Sequence, residues 1–467
     1  MRFKDSRVEE IKIAYIGGGS RQWARGLMSD LIVSEDISGD VYLYDIDYEA
    51  ALINEKVGNN SNFAAGAKTT WNYKAVKTIE EALFGANFVV ISIQPGTFDE
   101  MYSDVHTPEK YGIYQSVGDT TGPGGIVRAL RTIPMYEHFA LKIKECCPDA
   151  WVINYTNPMT VCTNTLYKVF PEIKAFGCCH EVFATQKLLI EAMEEVLGLT
   201  GAVREDIKVN PIGINHFTWL TEAKYQNIDL YPIYREYALK HKETGLIENR
   251  PVIGYMGSRE KVKFDLFLRY GIIAAAGDRH LAEFCPGDWY LKNPEQVEDW
   301  QFKLTPVDWR RTRLADRIEE AKLLASGEKK FEITETGEDG VKQIRALLGL
   351  HDLVTNVNLP NKGQIPNLPY DAVVETNAIF RSDCIVPVFG GEIPYEIYPL
   401  ISRVCGEQEM IVNAGLNRDL NLAYKAFIND PLVRISLDDS KKLFGEMLYN
   451  TKDYLKMYDI GEWIENV

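Results

Sequence analysis

The chain has 467 residues, 46% of them hydrophobic and 25% charged, with a formal net charge of −16. That length exceeds one simple core and predicts two closely joined domains, 1–200 and 201–467, of a soluble enzyme. The acidic balance argues against a nucleic-acid surface, which needs a basic stripe, and no apolar run approaches the roughly 20 residues that span a bilayer.

The polar start MRFKDSRVEE reads as no signal peptide. In chain order, IKIAYI (11–16), VYLYD (41–45), FVVISI (88–93), WVINYT (151–156) and AFGCC (175–179) predict strands, with helix-like segments at 48–59 and 132–147 between them. Apolar strands alternating with amphipathic helices predict an α/β fold: a Rossmann-type doubly wound sheet followed by a mixed α/β region. Eight cysteines in a chain this long make no disulfide framework, and there is no C-x-x-C. They predict free thiols in a reducing cytoplasm.

The first strand runs into GGGSRQWARGLM, where Gly17, Gly18, Gly19 and Ser20 form a strand-to-helix turn. Such a turn lets the backbone approach a pyrophosphate, and the helix N-terminus offers unpaired N–H groups to its charge. The third glycine of G-x-G-x-x-G is replaced by Gln22. Asp45 ends the second strand, placed to accept hydrogen bonds from a ribose diol, which predicts NAD rather than NADP. NYTNP (154–158) follows the strand at 151–156, so Asn154 is expected at the nicotinamide ribose and Asn157 at a substrate hydroxyl; the bland alternative is an asparagine–proline turn. GDTTGPGGIVRALRTIP (118–134) is a glycine-rich loop entering a helix that carries Arg128 and Arg131.

Of the seven histidines, three have chemistry beside them: His180 after Cys179, His216 in GINHFTWL, and His280 in AGDRHLAEF. A histidine in an apolar strand reads first as a satisfied core residue. One thiolate and one imidazole with open positions would instead suit a catalytic metal completed by substrate oxygens and water. A malate- or lactate-type dehydrogenase, which needs no metal, is the rival from another class.

Taken together, GGGS, GDTTGPGGIVRALRTIP, NYTNP, CHEV (179–182) and GINHFTW, in this order, resemble glycoside hydrolase family 4 over nearly the whole chain. The resemblance implies a lactate/malate-dehydrogenase-like fold, homodimers or homotetramers, and glycoside hydrolysis with NAD and a divalent metal, usually manganese, outside the two-carboxylate scheme. It makes Cys179 and His216 the metal ligands. CHEV resembles the α-galacturonidase version of the motif, whereas the α-glucosidases and α-galactosidases of the family resemble CHSV, so Glu181 marks a uronide substrate of the kind released from pectin. The implied chemistry is oxidation at sugar carbon 3, loss of the carbon 2 proton, expulsion of the leaving group, water addition and re-reduction.

Asp278 resembles the position of the base, with Tyr270 as the tyrosine alternative. His180, with a reference pKa of about 6.5, is a candidate for protonating the leaving group, with Glu181 and a metal-bound water as the alternatives. Arg131, Arg279, Arg128 and His280 are the candidates for the substrate carboxylate.

Overall fold

Strands buried on both faces need continuous apolar runs, and the N-terminal runs fold accordingly. In the computed structural model, which describes residues 1–247, 254–334 and 336–465, six strands lie parallel: Arg7–Ile16, Ile37–Tyr44, Trp71–Val76, Phe88–Ile91, Trp151–Asn154 and Lys174–Gly177. Numbered 1 to 6 along the chain, they stand side by side as 3-2-1-4-5-6. That is the doubly wound order of dinucleotide-binding folds, and ligands bind where its direction reverses, at the carboxyl ends of the strands.

Two expectations change. The helix expected at 132–147 is the end of a 25-residue helix, Gly122–Cys146, which begins inside the glycine-rich loop. Its first-turn N–H groups are satisfied by side chains from elsewhere: Gly124 donates to Gln115 Oε1 at 2.9 Å and Gly122 to Asp430 Oδ2 at 2.9 Å. A side chain at Gly125 would lie 2.5 Å from the carbonyl carbon of Thr120, so glycine lets the loop fold back on the helix. The strand expected at 175–179 stops at Gly177, which leaves Cys178 and Cys179 in the turn beyond it.

The C-terminal half completes the same sheet. Strands Leu353–Pro360, Val373–Arg381 and Cys384–Pro387 run antiparallel and extend it past Lys174–Gly177 through the pair Asn358 and Gly177. A second, smaller sheet is built on the hairpin Ile207–Ile214 and Phe217–Tyr225. Phe217, just after the hairpin turn, stacks on Phe284 with ring centroids 4.9 Å apart. Both rings are fully buried, worth about 2–3 kcal/mol each, and they fix helix Asp278–Phe284 beneath that turn. Ile126, Leu130 and Ile133 of the long helix share this core with Ile401 and Val412 of helix Tyr398–Asn417. Among the described residues, no helix is long and apolar enough to cross a membrane. All eight cysteines are free thiols.

Candidate active site

The glycine turn is built for close backbone approach. Gly17 has φ +94°, and a side chain there would lie 2.0 Å from the Ser92 carbonyl oxygen. Gly19 N–H donates to Asp45 Oδ2 at 2.8 Å and Asp47 N–H to Asp45 Oδ1 at 2.9 Å. Asn54 donates to the carbonyls of Gly18 and Ser20, both at 2.8 Å. Ser20 Oγ accepts the N–H of Trp23, the first residue of helix Trp23–Ile32, at 3.1 Å. Gln22, at the expected third glycine, immediately precedes that helix, whose first turn holds no acidic side chain. An anion at this N-terminus therefore meets backbone dipole without opposing charge.

Asn154 is fully buried. Its side-chain oxygen already accepts from Tyr136 Oη at 2.5 Å and Thr156 N–H at 3.0 Å, and its amide donates to the Thr156 carbonyl at 3.1 Å. These bonds fix the start of the NYTNP loop. Asn157 is the open one, because its buried Oδ1 has no partner among the described residues.

Around the end of Lys174–Gly177 the chemistry-bearing residues gather. Cys179 is buried, and burial, with Glu375 and Glu181 nearby, pushes its thiol well above the usual range. Its carbonyl accepts from Asn356 at 3.2 Å, and Asn356 also donates to Glu375 at 2.7 Å. Glu375 accepts from Thr218 at 2.7 Å as well, which ties the Cys179 turn to the hairpin carrying His216.

His216 occupies the two-residue turn of that hairpin at φ +64°, a conformation L side chains adopt at a cost and one that clusters at functional sites. Burial, reinforced by His280, lowers its pKa to about 3, so the ring is neutral at physiological pH. Thr120 Oγ1 donates its one proton to Asp119 Oδ1 at 2.8 Å and lies 3.1 Å from His216 Nδ1. Nδ1 must then carry the proton, which leaves the lone pair on Nε2. The rings of His216 and His280 lie 3.8 Å apart.

Glu181 opens helix Glu181–Leu197; its Oε2 accepts the Gly277 N–H at 2.7 Å and its Oε1 lies 3.7 Å from His280 Nε2. Burial alone would raise this carboxyl, but the imidazoles of His280, His216 and His180 and the Gly277 N–H hold it at about 2. His180 Nδ1 lies 2.7 Å from Glu338 Oε1, and this hydrogen bond raises its pKa while half of its side chain stays exposed. Trp23, stacked on Tyr155, flanks His180 at 6.4 Å.

Three of the expected site residues are bonded within the protein. Arg131 is fully buried in a two-pronged pair with Asp104, 3.0 Å through Nη1, and its Nε donates to the Pro95 carbonyl at 3.0 Å. Arg279 is spent on the carbonyls of Lys303, at 3.0 Å, and Ser116, and on Thr305. Each guanidinium nitrogen of both is thus already engaged. Asp278 is wholly buried, and its Oδ1 accepts the Lys263 N–H at 3.0 Å at the start of helix Lys261–Tyr270. Oδ1 thereby caps a neighbouring helix, while the buried Oδ2 has no partner among the described residues, and burial and Glu260 raise the carboxyl to about 7. Tyr270 packs edge-on against Trp219 and lies at the rim of the core.

Asp119 is the residue that sequence reasoning missed. Burial would raise its carboxyl, but Arg128, His280 and His216 hold it at about 2. Its signal was its place between the glycines of GDTTGPGG and three residues before the start of the Arg128 helix.

Among the described residues, no three His, Cys, Asp or Glu side chains converge as a metal cluster. A buried thiol and a neutral imidazole with its Nε2 free nonetheless fit a two-ligand site, since thiolate and imidazole suit a divalent cation completed from outside the protein. The glycine turn with Asp45 likewise fits a dinucleotide.

A family model, the family 4 glycosyl hydrolases, matches residues 12–195, and the model of that family's C-terminal domain matches residues 211–433. The chain belongs to family 4 of the glycosyl hydrolases. This family 4 chain is 60% identical, over 98% of its length and the whole length of the relative, to an α-galacturonidase of Thermoanaerobacterium saccharolyticum. A Bacillus subtilis structure provisionally described as a glucosidase superposes with a TM-score of 0.90 at 51% identity, covering 94% of this chain and 100% of that one. The 6-phospho-β-glucosidase of Thermotoga maritima, solved with manganese, NAD+ and glucose-6-phosphate, shares the fold: TM-score 0.76 at 23% identity, covering 95% of this chain and 99% of that one.

Proposed function

We propose that this family 4 hydrolase is an α-galacturonidase that uses NAD and a divalent metal, most naturally manganese. The observation that carries the reading is end-to-end identity of 60% with an α-galacturonidase. The Glu181 environment supports it: the carboxylate of CHEV is turned to the Gly277 N–H and His280, so it does not stand bare against an incoming uronate. When bound, NAD supplies reversible hydride removal at sugar carbon 3, and the metal supplies positive charge for the acidified carbon 2.

The chain's own residues do the rest. Gly17 to Ser20 and Asp45 hold the dinucleotide, and Asn157 Oδ1 accepts a hydroxyl from the substrate. Cys179 and His216 Nε2 hold the cation, with Asp119 and Thr120 fixing the imidazole tautomer. His180, kept protonated by Glu338, donates to the leaving oxygen. We also assign the enzyme to the cytoplasm and to a homodimer or homotetramer.

The test is a panel of 4-nitrophenyl α-galacturonide, α-galactoside and α-glucoside with NAD and manganese. Preference for the uronide, loss of activity on chelation and solvent exchange of deuterium at carbon 2 are expected. Preference for a neutral sugar would replace the substrate, and absence of exchange would remove the elimination route.

A further inference from the structure

A uronic acid brings a carboxylate into a site that already contains Glu181 and Asp119, so it needs a cation with free donors. Every guanidinium nitrogen of Arg131 and of Arg279 already has a partner. Arg128 donates Nε to the Asn157 carbonyl at 3.0 Å and Nη2 to Gln94 at 3.4 Å, which leaves it Nη1 and no fork.

Arg310 differs from all three. It lies in the first turn of helix Val307–Ser326, and its Nε is buried without an acceptor. Among the described residues it makes no hydrogen bond and no ion pair. The charged groups that act on it are Asp119 from the glycine-rich loop, Arg279 and Arg317. Asp119 thus serves both Arg310 and Arg279 and is already shared with Arg128, His280 and His216, while the bonds of Arg279 to Lys303 and Thr305 bring the start of the Arg310 helix to this side of the site. An uncommitted Nε beside its Nη is the side-on fork that matches a carboxylate through two parallel hydrogen bonds.

We propose that Arg310 receives the carboxylate of the substrate's uronic acid and so selects uronides over neutral glycosides. This inference rests on the α-galacturonidase reading. The Asp119 carboxylate, bonded to the Thr120 that contacts His216, repels a second carboxylate from the metal ligands. The sugar acid is thereby directed to Arg310 and its hydroxyls to Cys179 and His216.

The experiment compares wild type, Arg310→Gln and Arg310→Lys in the full chain with NAD and manganese. It reads kcat and KM on 4-nitrophenyl α-galacturonide, NAD affinity by fluorescence titration, and melting temperature. Arg310→Gln is expected to lower kcat/KM about 100-fold, chiefly through KM, with NAD affinity and melting temperature unchanged. Arg310→Lys is expected to recover part of the loss. Unchanged KM in Arg310→Gln overturns the inference while leaving the α-galacturonidase reading standing. Weakened NAD binding also overturns it, assigning the cation to the dinucleotide instead. Loss of melting temperature without a change in KM assigns Arg310 to packing. A wild-type enzyme inactive on the uronide removes the functional reading first, and this inference with it.

Discussion

The rings of His216 and His280 face each other at 3.8 Å with an interplanar angle of 32°. This contact joins a strained hairpin turn to the first turn of a short helix. It exists because Phe217 and Phe284, one and four residues further along, stack in the core beneath it. The positions of two polar rings are therefore set by two apolar ones.

Because Thr120 accepts from His216 Nδ1, Thr120→Val removes the group that fixes the tautomer and leaves a buried N–H unsatisfied. Manganese affinity, measured by titration in the presence of NAD, is expected to fall about 10–100-fold. NAD affinity should stay unchanged, and an unaltered manganese isotherm would dissociate Thr120 from the metal site.

His180 is half-exposed and carries a pKa raised by its hydrogen bond with Glu338. As a proton donor it works below its pKa, so activity is lost as pH rises through that value. Glu338→Gln weakens the partner and moves the alkaline limb of the kcat/KM profile to lower pH. His180→Gln should flatten that limb altogether, and a profile that stays bell-shaped would point to another acid.

Asp278 has a carboxyl raised from 3.8 to about 7 by burial and Glu260. The folded state then binds its proton more tightly than the unfolded chain does. Its contribution to stability is full below about pH 4 and declines between there and about pH 7. Asp278→Asn should reduce this decline in melting temperature while keeping activity within about 10-fold, since the residue caps helix Lys261–Tyr270 through Lys263 N–H. A loss of more than about 1,000-fold in kcat with normal melting would restore it as the base.

Asp45 holds the Gly19 and Asp47 N–H groups and presents a carboxylate at the end of strand Ile37–Tyr44. Asp45→Ser is expected to cut the preference for NAD over NADP about 10–100-fold by removing repulsion of a 2′-phosphate. Cofactor titration with both nucleotides checks it, and an unchanged ratio would mean the ribose lies elsewhere.

Five of the six parallel strands were legible because strands covered on both faces must be apolar throughout. The sixth, Trp71–Val76, was not: WNYKAV exposes Asn72 and Lys74 at the sheet's edge and breaks the run. The antiparallel extension was hidden for the opposite reason, since Leu353–Pro360 buries Asn356 and Asn358 against the turn around Cys179 and Met159. At the site, sequence supplied residue types but not partners. Arg131 and Arg279 look like free cations until Asp104, Ser116 and Thr305 are seen around them. Asp278 carries the chemistry of a base, but one of its oxygens is taken by the Lys263 N–H, a bond that its sequence neighbours do not reveal.

The sheet's last parallel strand waits for a neighbour that the ribosome has not yet made. Gly177 pairs with Asn358, roughly 180 residues later, which at ~5–20 residues per second means an uncovered edge for about 10–35 s. During that interval the backbone of Lys174–Gly177 is open to pairing with any other nascent chain, and the carbonyl of Cys179 lacks Asn356. Slow translation or scarce chaperones would then reduce yield of the enzyme by aggregation of half-made chains, without any change in the finished protein's stability.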